Sequence, residues 1–181
     1  CEVVRYQTAG DDQSKIADEI REAWKEADLI LTTGGVSVGE KDLLPGVIQN
    51  LTGNVLFHGI QVKPGMPTML SVVKGTPVLS LSGNPFAVEA LFEVLAGRYL
   101  TDMEASRYLQ KNQMKVLKQT FVKTGKMKRI VKGRCDESGV YLPQIQKNGQ
   151  LKNGIGSNCL VIFPEGERTY AEGEAVRVIR I

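Results

Sequence analysis

An apolar run that ends in glycine, hydroxyl and carboxylate residues constrains this chain more than any other feature. Residues 29–42 read LILTTGGVSVGEKD. The apolar part predicts a buried strand, and the glycines after it let backbone N–H groups approach an anion closely. The two carboxylates that follow, Glu40 and Asp42, can hold a divalent cation against that anion. The stretch therefore predicts a phosphate site at the end of a strand.

A second loop of the same kind follows another apolar run. Residues 77–85 read PVLSLSGNP, in which Asn84 suits a helix N-cap and Pro85 suits the first helical position. A glycine turn followed by ordinary helix caps would explain either loop alone. Two polar loops at the ends of strands favour a ligand cleft instead.

Helical and strand-like patterns alternate over the first hundred residues. Asp12 suits a helix N-cap, and an apolar period of three to four after it predicts a helix to about residue 27. Residues 1–6 resemble a strand. Further helices are predicted at 43–51 and 84–103, and strands at 29–33, 54–57, 68–73 and 76–81, with Lys74-Gly75 as a tight turn between the last two strands. This order predicts an α/β fold with three layers, in which a mostly parallel sheet is covered on both faces.

The pattern and the charge change after residue 102. Short β-like runs follow at 114–121, 129–135, 139–143, 159–164 and 175–181, as in a small barrel or sandwich. Residues 1–104 carry 8 basic and 14 acidic side chains, a net charge of −6, whereas residues 105–181 carry 15 and 6, a net charge of +9. We therefore predict an α/β domain at 1–104 and a small all-β, barrel-like domain at 105–181.

Composition excludes several classes of protein. No apolar run reaches the roughly 20 residues of a membrane helix. Three cysteines and one histidine, His58, argue against a zinc site or a disulfide framework and favour a reducing, cytoplasmic location. Residues 111–134 hold nine basic side chains and no acid. Such a run usually forms a solvated strand face, and a site for nucleic acid or an anionic ligand is the alternative. Its single aromatic residue, Phe121, argues against a base-stacking platform. His58 is interpreted as a structural or surface histidine rather than a general base.

Four segments together resemble the molybdopterin molybdenumtransferase family, which includes MoeA and the E domain of gephyrin. They are TTGGVSVGEKD at 32–42, FHGIQVKPGMP at 57–67, SLSGNPFAVEALFE at 80–93 and the tail at 149–178. The resemblance implies a molybdopterin-binding α/β domain followed by a β-barrel domain. It also implies a cytoplasmic enzyme that inserts molybdate into adenylylated molybdopterin, releases AMP and uses Mg²⁺.

The resemblance also assigns roles to individual residues. Asp42 and Lys63 would be the catalytic carboxylate and cation, and Asp42 with Glu40 would hold Mg²⁺. Lys63 precedes Pro64, which stiffens the segment. The residues implied in binding the nucleotide and the pterin are Thr33, Gly34, Gly35, Ser37, Gly39, Ser82, Gly83, Asn84 and Pro85. The substrates are small molecules, no membrane partner is expected, and the full-length protein is expected to form a homodimer.

Three positions depart from the family pattern. Gly59 stands where a basic residue is common, Ala87 where a serine is common, and Ser82 where a proline is usual. The resemblance covers only the C-terminal part of the family's pattern, so we expect the chain to be a fragment of a longer protein with further N-terminal domains. We therefore expect the isolated chain to insert molybdenum slowly or not at all. The alternatives are a non-catalytic pterin- or nucleotide-binding module and, less favoured, a nucleic-acid-binding protein that uses the basic second domain.

Overall fold

The computed structural model describes most of the chain, and its contacts divide the described residues into two units. The described residues are 1–37, 42–102, 112–143 and 156–181, without the side chains at positions 98, 101 and 102. The first unit comprises Cys1–Ile60 and Gly65–Val88, and the second comprises Gln61–Pro64 and Glu89–Ile181. The domain boundary near residue 104 remains a prediction, because residues 103–111 lie outside the described part.

Two helices of the first unit begin close to their predicted positions, although the first ends at Ala23, about one turn before the predicted end near residue 27. Helix α1 spans Gln13–Ala23 and helix α2 spans Leu44–Asn50. The Asp12 carboxylate accepts hydrogen bonds from the backbone N–H groups of Ser14 and Lys15, at 2.9 and 3.1 Å. The N-cap predicted at Asp12 is therefore confirmed.

The first unit contains a four-stranded sheet in the order β1-β5-β4-β2. These strands are β1 at Ile30–Thr33, β2 at Asn54–His58, β4 at Met69–Val73 and β5 at Thr76–Leu81. Only β1 and β5 pair in parallel, so the prediction of a mostly parallel sheet was wrong for the described strands. The reason is local: Lys74 and Gly75 have φ of 52° and 90° and join β4 to β5 as a hairpin.

The strand expected at residues 1–6 is also absent from the described structure. These residues are irregular, and Val3, Val4 and Tyr6 are exposed. An alternating pattern forms a strand only when a neighbouring strand accepts its hydrogen bonds, and here no described strand pairs with it. The segment is held instead by Arg5, whose guanidinium contacts Glu19 at 2.8 Å and Glu26 at 3.5 Å.

One face of this sheet forms a core with α1 and α2. The buried side chains include Ile20 from α1, Ile48 from α2, and Met69 and Val78 from the sheet. Val36, which follows the first glycine pair, belongs to the same core and is only 1% exposed. The glycine loop is therefore anchored to the core next to the residues predicted to bind an anion. The three-layer arrangement itself remains a prediction.

The second unit contains the remaining strands. Its main sheet has the order β3-β8-β10-β12-β6, with β9 paired to β8 and β11 paired to β7. The strands are β3 at Val62–Lys63, β6 at Asn112–Val116, β7 at Phe121–Lys123, β8 at Lys128–Cys135, β9 at Val140–Tyr141, β10 at Cys159–Phe163, β11 at Arg168–Tyr170 and β12 at Ala175–Arg180. Within the described ranges of this unit, the strand pairs are antiparallel except for β3 with β8. Closure into a barrel remains a prediction.

One predicted strand of this unit divides into two. The run expected at 114–121 ends at Val116, and β7 begins separately at Phe121. Between them, Leu117 forms an isolated bridge with Val140 and is fully buried. The apolar pattern continues through this bend because Leu117 and Phe121 contribute to one core. The hydrophobic pattern therefore overestimates the length of the strand.

The helical segment before the second group of strands is interrupted. It consists of α3 at Pro85–Leu91, a π-helical turn at Phe92–Ala96 and α4 at Gly97–Asp102. The ammonium of Lys132 in β8 forms an ion pair with Glu89, which lies in α3. Among the described residues, no helix has the length and apolar character needed to cross a membrane.

Candidate functional site

The two glycine loops predicted to bind a ligand lie together in the first unit. They follow β1 and β5, which pair in parallel with Thr33 opposite Leu81, so both loops leave the sheet at its carboxyl edge. A Cβ atom added to Gly83 would lie 3.6 Å from the Cα of Gly34. The glycines of the two loops therefore lie close to each other, and their convergence on one ligand pocket remains a prediction.

Backbone contacts fix the first loop. Gly34 and Gly35 have φ of 83° and 63°, in the left-handed region that favours glycine. The Gly34 N–H donates to the carbonyl of Leu81 at 2.9 Å, and the Gly35 carbonyl accepts from Leu44 N–H at 3.1 Å. The Gly34 amide is thus hydrogen-bonded to the end of β5 and is not available to a ligand. The amides of Gly35 and Ser37 have no hydrogen-bond partner within the described ranges, and these are the donors that the loop can offer.

Side chains of the first loop provide hydroxyl and carboxylate oxygens. Thr33 and Ser37 are exposed, and Asp42 is half-buried just before α2. Asp42 already has an interaction within the protein. Gly39 and Glu40, two other predicted site residues, lie outside the described residues. Within the described ranges there is no group of three or more His, Cys, Asp or Glu side chains arranged for a metal ion.

The second loop ends in a capped helix. The Asn84 Oδ1 atom accepts from the backbone N–H groups of Phe86 and Ala87, at 3.0 and 3.3 Å. Asn84 is therefore the N-cap, and Pro85 is the first residue of α3, as predicted. Because its oxygen serves the cap, Asn84 can offer a ligand only the two donors of its Nδ2 group. Ser82 and Gly83 precede the cap, half-buried and exposed respectively.

Lys63 lies in the other unit. It is the second residue of β3, which pairs in parallel with β8 and places Lys63 opposite Arg129. Its side chain is exposed. Sequence reasoning grouped Lys63 with the glycine loops, but the contacts assign residues 61–64 to the second unit.

Two positions that depart from the family pattern have structural reasons for their residues. Gly59 has a φ of 95° and donates its N–H to the Thr68 carbonyl at 2.8 Å. Any residue with a side chain would be strained at this φ, so a basic residue here would raise the free energy of the backbone. Ala87 is fully buried in the first turn of α3. Gly59 thus supplies no basic group and Ala87 supplies no hydroxyl group, which are the groups that the family resemblance led us to expect at these two positions.

His58 has a contact that sequence reasoning did not find. Its Nε2 atom lies 2.8 Å from the carbonyl oxygen of Val36, between Gly35 and Ser37. The interpretation of His58 as a structural residue fits this contact. No sequence signal points to it, because the two residues are 22 positions apart.

Three buried hydroxyl groups in the same sheet have no hydrogen-bond partner within the described structure: Thr32, Ser71 and Ser80. Thr32 and Ser80 lie opposite each other in the parallel pair, immediately before the two loops. An unpaired buried hydroxyl costs about 1–3 kcal/mol. Sequence cannot identify such groups, because serine and threonine also suit the exposed face of a strand.

The second unit contains the two buried cysteines and the basic strands. Burial raises the pKa of the Cys159 thiol to about 12, and neighbouring Cys135 adds to the rise. Such a thiol is a poor nucleophile and metal ligand at neutral pH. Lys123 is buried and donates to the carbonyls of Gly125 and Gly166. At least this one of the basic residues therefore stabilises turns rather than lying on a solvated face.

Comparison with known proteins gives a consistent result. The family described as a probable molybdopterin binding domain matches residues 1–102. A molybdopterin molybdenumtransferase of Staphylococcus aureus is 30% identical over 98% of this chain and 44% of its own length, and one of Staphylococcus epidermidis is 27% identical over the same shares. The chain thus spans less than half the length of these curated relatives.

Solved structures agree with the sequence relatives. A molybdopterin biosynthesis MoeA protein of Pyrococcus horikoshii superposes with a TM-score of 0.76 and 26% identity, over 94% of this chain and 41% of that protein. A molybdenum cofactor biosynthesis protein of Pyrococcus furiosus gives a TM-score of 0.71 and 25% identity, over 94% and 55%. Both likenesses extend over the two units described above.

Proposed function

This chain belongs to the family described as a probable molybdopterin binding domain, and we propose that its glycine loops bind the phosphate part of adenylylated molybdopterin. In this proposal, the protein inserts molybdate into that substrate and releases AMP; the name of its relatives, molybdopterin molybdenumtransferase, supports the transfer of molybdenum to molybdopterin. The observation that carries the proposal is the approach of the two glycine loops at the carboxyl edge of the β1–β5 pair.

The loop chemistry supports an anionic ligand. The Gly35 and Ser37 amides, the Thr33 and Ser37 hydroxyls and the Asn84 Nδ2 group are all hydrogen-bond donors that suit phosphate oxygens. The Gly34 amide is excluded, because it donates to Leu81. We assign Gly34 and Gly83 to close backbone approach, because a side chain at Gly34 would be strained at its φ of 83°.

Mg²⁺ fits this donor set. Magnesium is commonly bound by one or two carboxylates together with substrate phosphates, so Asp42 can hold it once a phosphate is present. Glu40 is the second proposed ligand. The ion would neutralise phosphate charge in the bound state, while Ser37 and Asn84 would orient the phosphate through hydrogen bonds. Lys63 is proposed as a further cation for the reaction.

The Asp42→Ala variant tests this proposal. Isothermal titration calorimetry with AMP, with and without Mg²⁺, measures the contribution of the ion. We expect Mg²⁺ to strengthen AMP binding to the parent chain and to have no effect on the variant. Loss of a charge-assisted contact corresponds to about 1.5–3 kcal/mol at saturating Mg²⁺. Asp28→Ala, which removes an exposed aspartate between α1 and β1, is the matched control. An unchanged Mg²⁺ effect in Asp42→Ala would refute the role of Asp42.

A non-catalytic pterin- or nucleotide-binding module is the second candidate function. It is favoured by Gly59 and Ala87, because molybdate is a dianion that needs positive charge and donors around it. Reconstitution of a molybdenum-free apoenzyme with this chain, Mg²⁺, molybdate and adenylylated molybdopterin tests whether the chain inserts molybdenum by itself. We expect no useful rate of insertion from the isolated chain. Turnover comparable to that of a full-length relative would show that molybdate insertion needs neither a basic residue at position 59 nor a serine at position 87.

A further inference from the structure

A β-bulge directs the only histidine of the chain toward the glycine loop. The pairing of β2 with β4 places Val55 opposite Ser71 and His58 opposite Met69, with the register shift between Val55 and Phe57. Ser71 and Met69 are two residues apart and share a face, so Val55 and His58 also share a face. In a regular strand, residues three apart point to opposite faces. The extra residue, Leu56, therefore turns His58 onto the face that packs against Val36.

The contact of His58 with Val36 has a defined donor. A carbonyl oxygen only accepts hydrogen bonds, so the His58 Nε2 atom must carry a proton and donate across the 2.8 Å distance. The backbone at Val36 cannot move toward solvent with the histidine, because the Val36 side chain is 1% exposed and packed in the core. The carbonyl is thus held from two sides, by its own anchored side chain and by the imidazole.

The held carbonyl also fixes the next amide. The Val36 carbonyl and the Ser37 N–H belong to one planar peptide, and in a trans peptide they point in opposite directions. With the carbonyl directed to His58, the Ser37 N–H is directed away from it. Ser37 is also one of the two loop amides without a partner in the described structure.

We propose that His58 is a positioning residue that orients the Val36–Ser37 peptide, so that the Ser37 amide can donate to an anionic ligand. This inference rests on the proposed function of the glycine loops. His58 acts through the backbone and does not itself contact the ligand. Because the imidazole is exposed, water competes for the same carbonyl, and we expect a moderate effect on ligand binding.

The test compares His58→Phe with His58→Gln. Phenylalanine keeps a ring but has no donor, whereas the glutamine amide can place an N–H near the position of Nε2. In the ligand-free protein, we expect the Ser37 amide resonance in a ¹⁵N–¹H spectrum to move in His58→Phe and to stay near its original position in His58→Gln. Val55→Ala, on the same strand face, is the control for general disturbance of β2. A Ser37 resonance that is unchanged in His58→Phe would overturn the proposal.

A second measurement concerns the ligand. Calorimetry with AMP and Mg²⁺ should give a Kd about 3- to 10-fold higher for His58→Phe, the equivalent of one ordinary hydrogen bond, with recovery in His58→Gln. Equal affinity of the parent and His58→Phe would overturn the positioning role in binding. If the parent chain binds no AMP, the proposed function fails instead, and the ligand-free spectra still decide whether His58 orients the peptide.

Discussion

Three consecutive residues of the first glycine loop are each held by a different element. Gly34 donates to the end of β5, Gly35 accepts from the start of α2, and Val36 accepts from His58 in β2. The sequence identifies the glycines, since their positive φ values follow from a local motif. It does not identify His58, because that contact depends on a bulge and on strand pairing that no local pattern encodes.

The buried thiol of Cys159 gives a prediction at the same scale. The folded protein retains the thiol proton to about pH 12, whereas an unfolded thiol loses it near the ordinary value of 9.0. The unfolded state therefore binds fewer protons in this interval, and the free energy of unfolding should fall as the pH rises from 9 toward 12. Urea denaturation at pH 8, 9 and 10 should show this fall reduced in Cys159→Ala.

The exposed Cys1 provides the control for this experiment. Cys1→Ala should retain the pH dependence of the parent chain, because it leaves the buried thiol of Cys159 in place. The slope is compared rather than the absolute stability, since Cys159→Ala also leaves a small cavity. Parallel slopes for Cys159→Ala and the parent chain would contradict the account of this thiol.

At the scale of elements, the sequence predicted what local chemistry determines. The caps at Asp12 and Asn84 and the turn at Lys74-Gly75 were all identified from a few neighbouring residues. The direction of the strands was not, because pairing depends on contacts between distant segments. The tight turn at Lys74-Gly75 already implied that β4 and β5 are antiparallel. The prediction of a mostly parallel sheet was wrong because it relied on the alternation of helices and strands instead. The short β11 was also missed, since its three residues carry too little pattern.

The Asn84 cap gives a prediction that separates stability from binding. Asn84→Ala removes both the Oδ1 acceptor and the Nδ2 donors, so it should lower the free energy of unfolding by about 1 kcal/mol and weaken AMP binding. Asn84→Asp keeps the cap but loses the donors, and it should weaken binding with little loss of stability. Urea denaturation and AMP calorimetry on both variants measure these effects.

Asp12→Ala is the matched control, because Asp12 caps α1 through the same kind of bond. It should cost a similar amount of stability and leave AMP binding unchanged. The role of Asn84 as a ligand donor would be disproved if Asn84→Asp and Asp12→Ala bound AMP equally well.

At the scale of the whole molecule, charge and ligand chemistry point to different units. The basic residues concentrate after residue 104, whereas the glycine loops lie in the unit with net negative sequence charge. An anion site in an acidic unit must rely on directed backbone donors and a metal ion rather than on overall charge. The basic unit is the competing location for any bound phosphate.

Residue-resolved NMR titration of the full chain with AMP and Mg²⁺ tests the central claim most directly, because it locates the bound phosphate. The account predicts saturable changes of amide resonances at Gly35, Ser37, Gly83 and Asn84. Changes confined to the basic strands β8 and β12, or no saturable change, would contradict the assignment of the glycine loops as the ligand site.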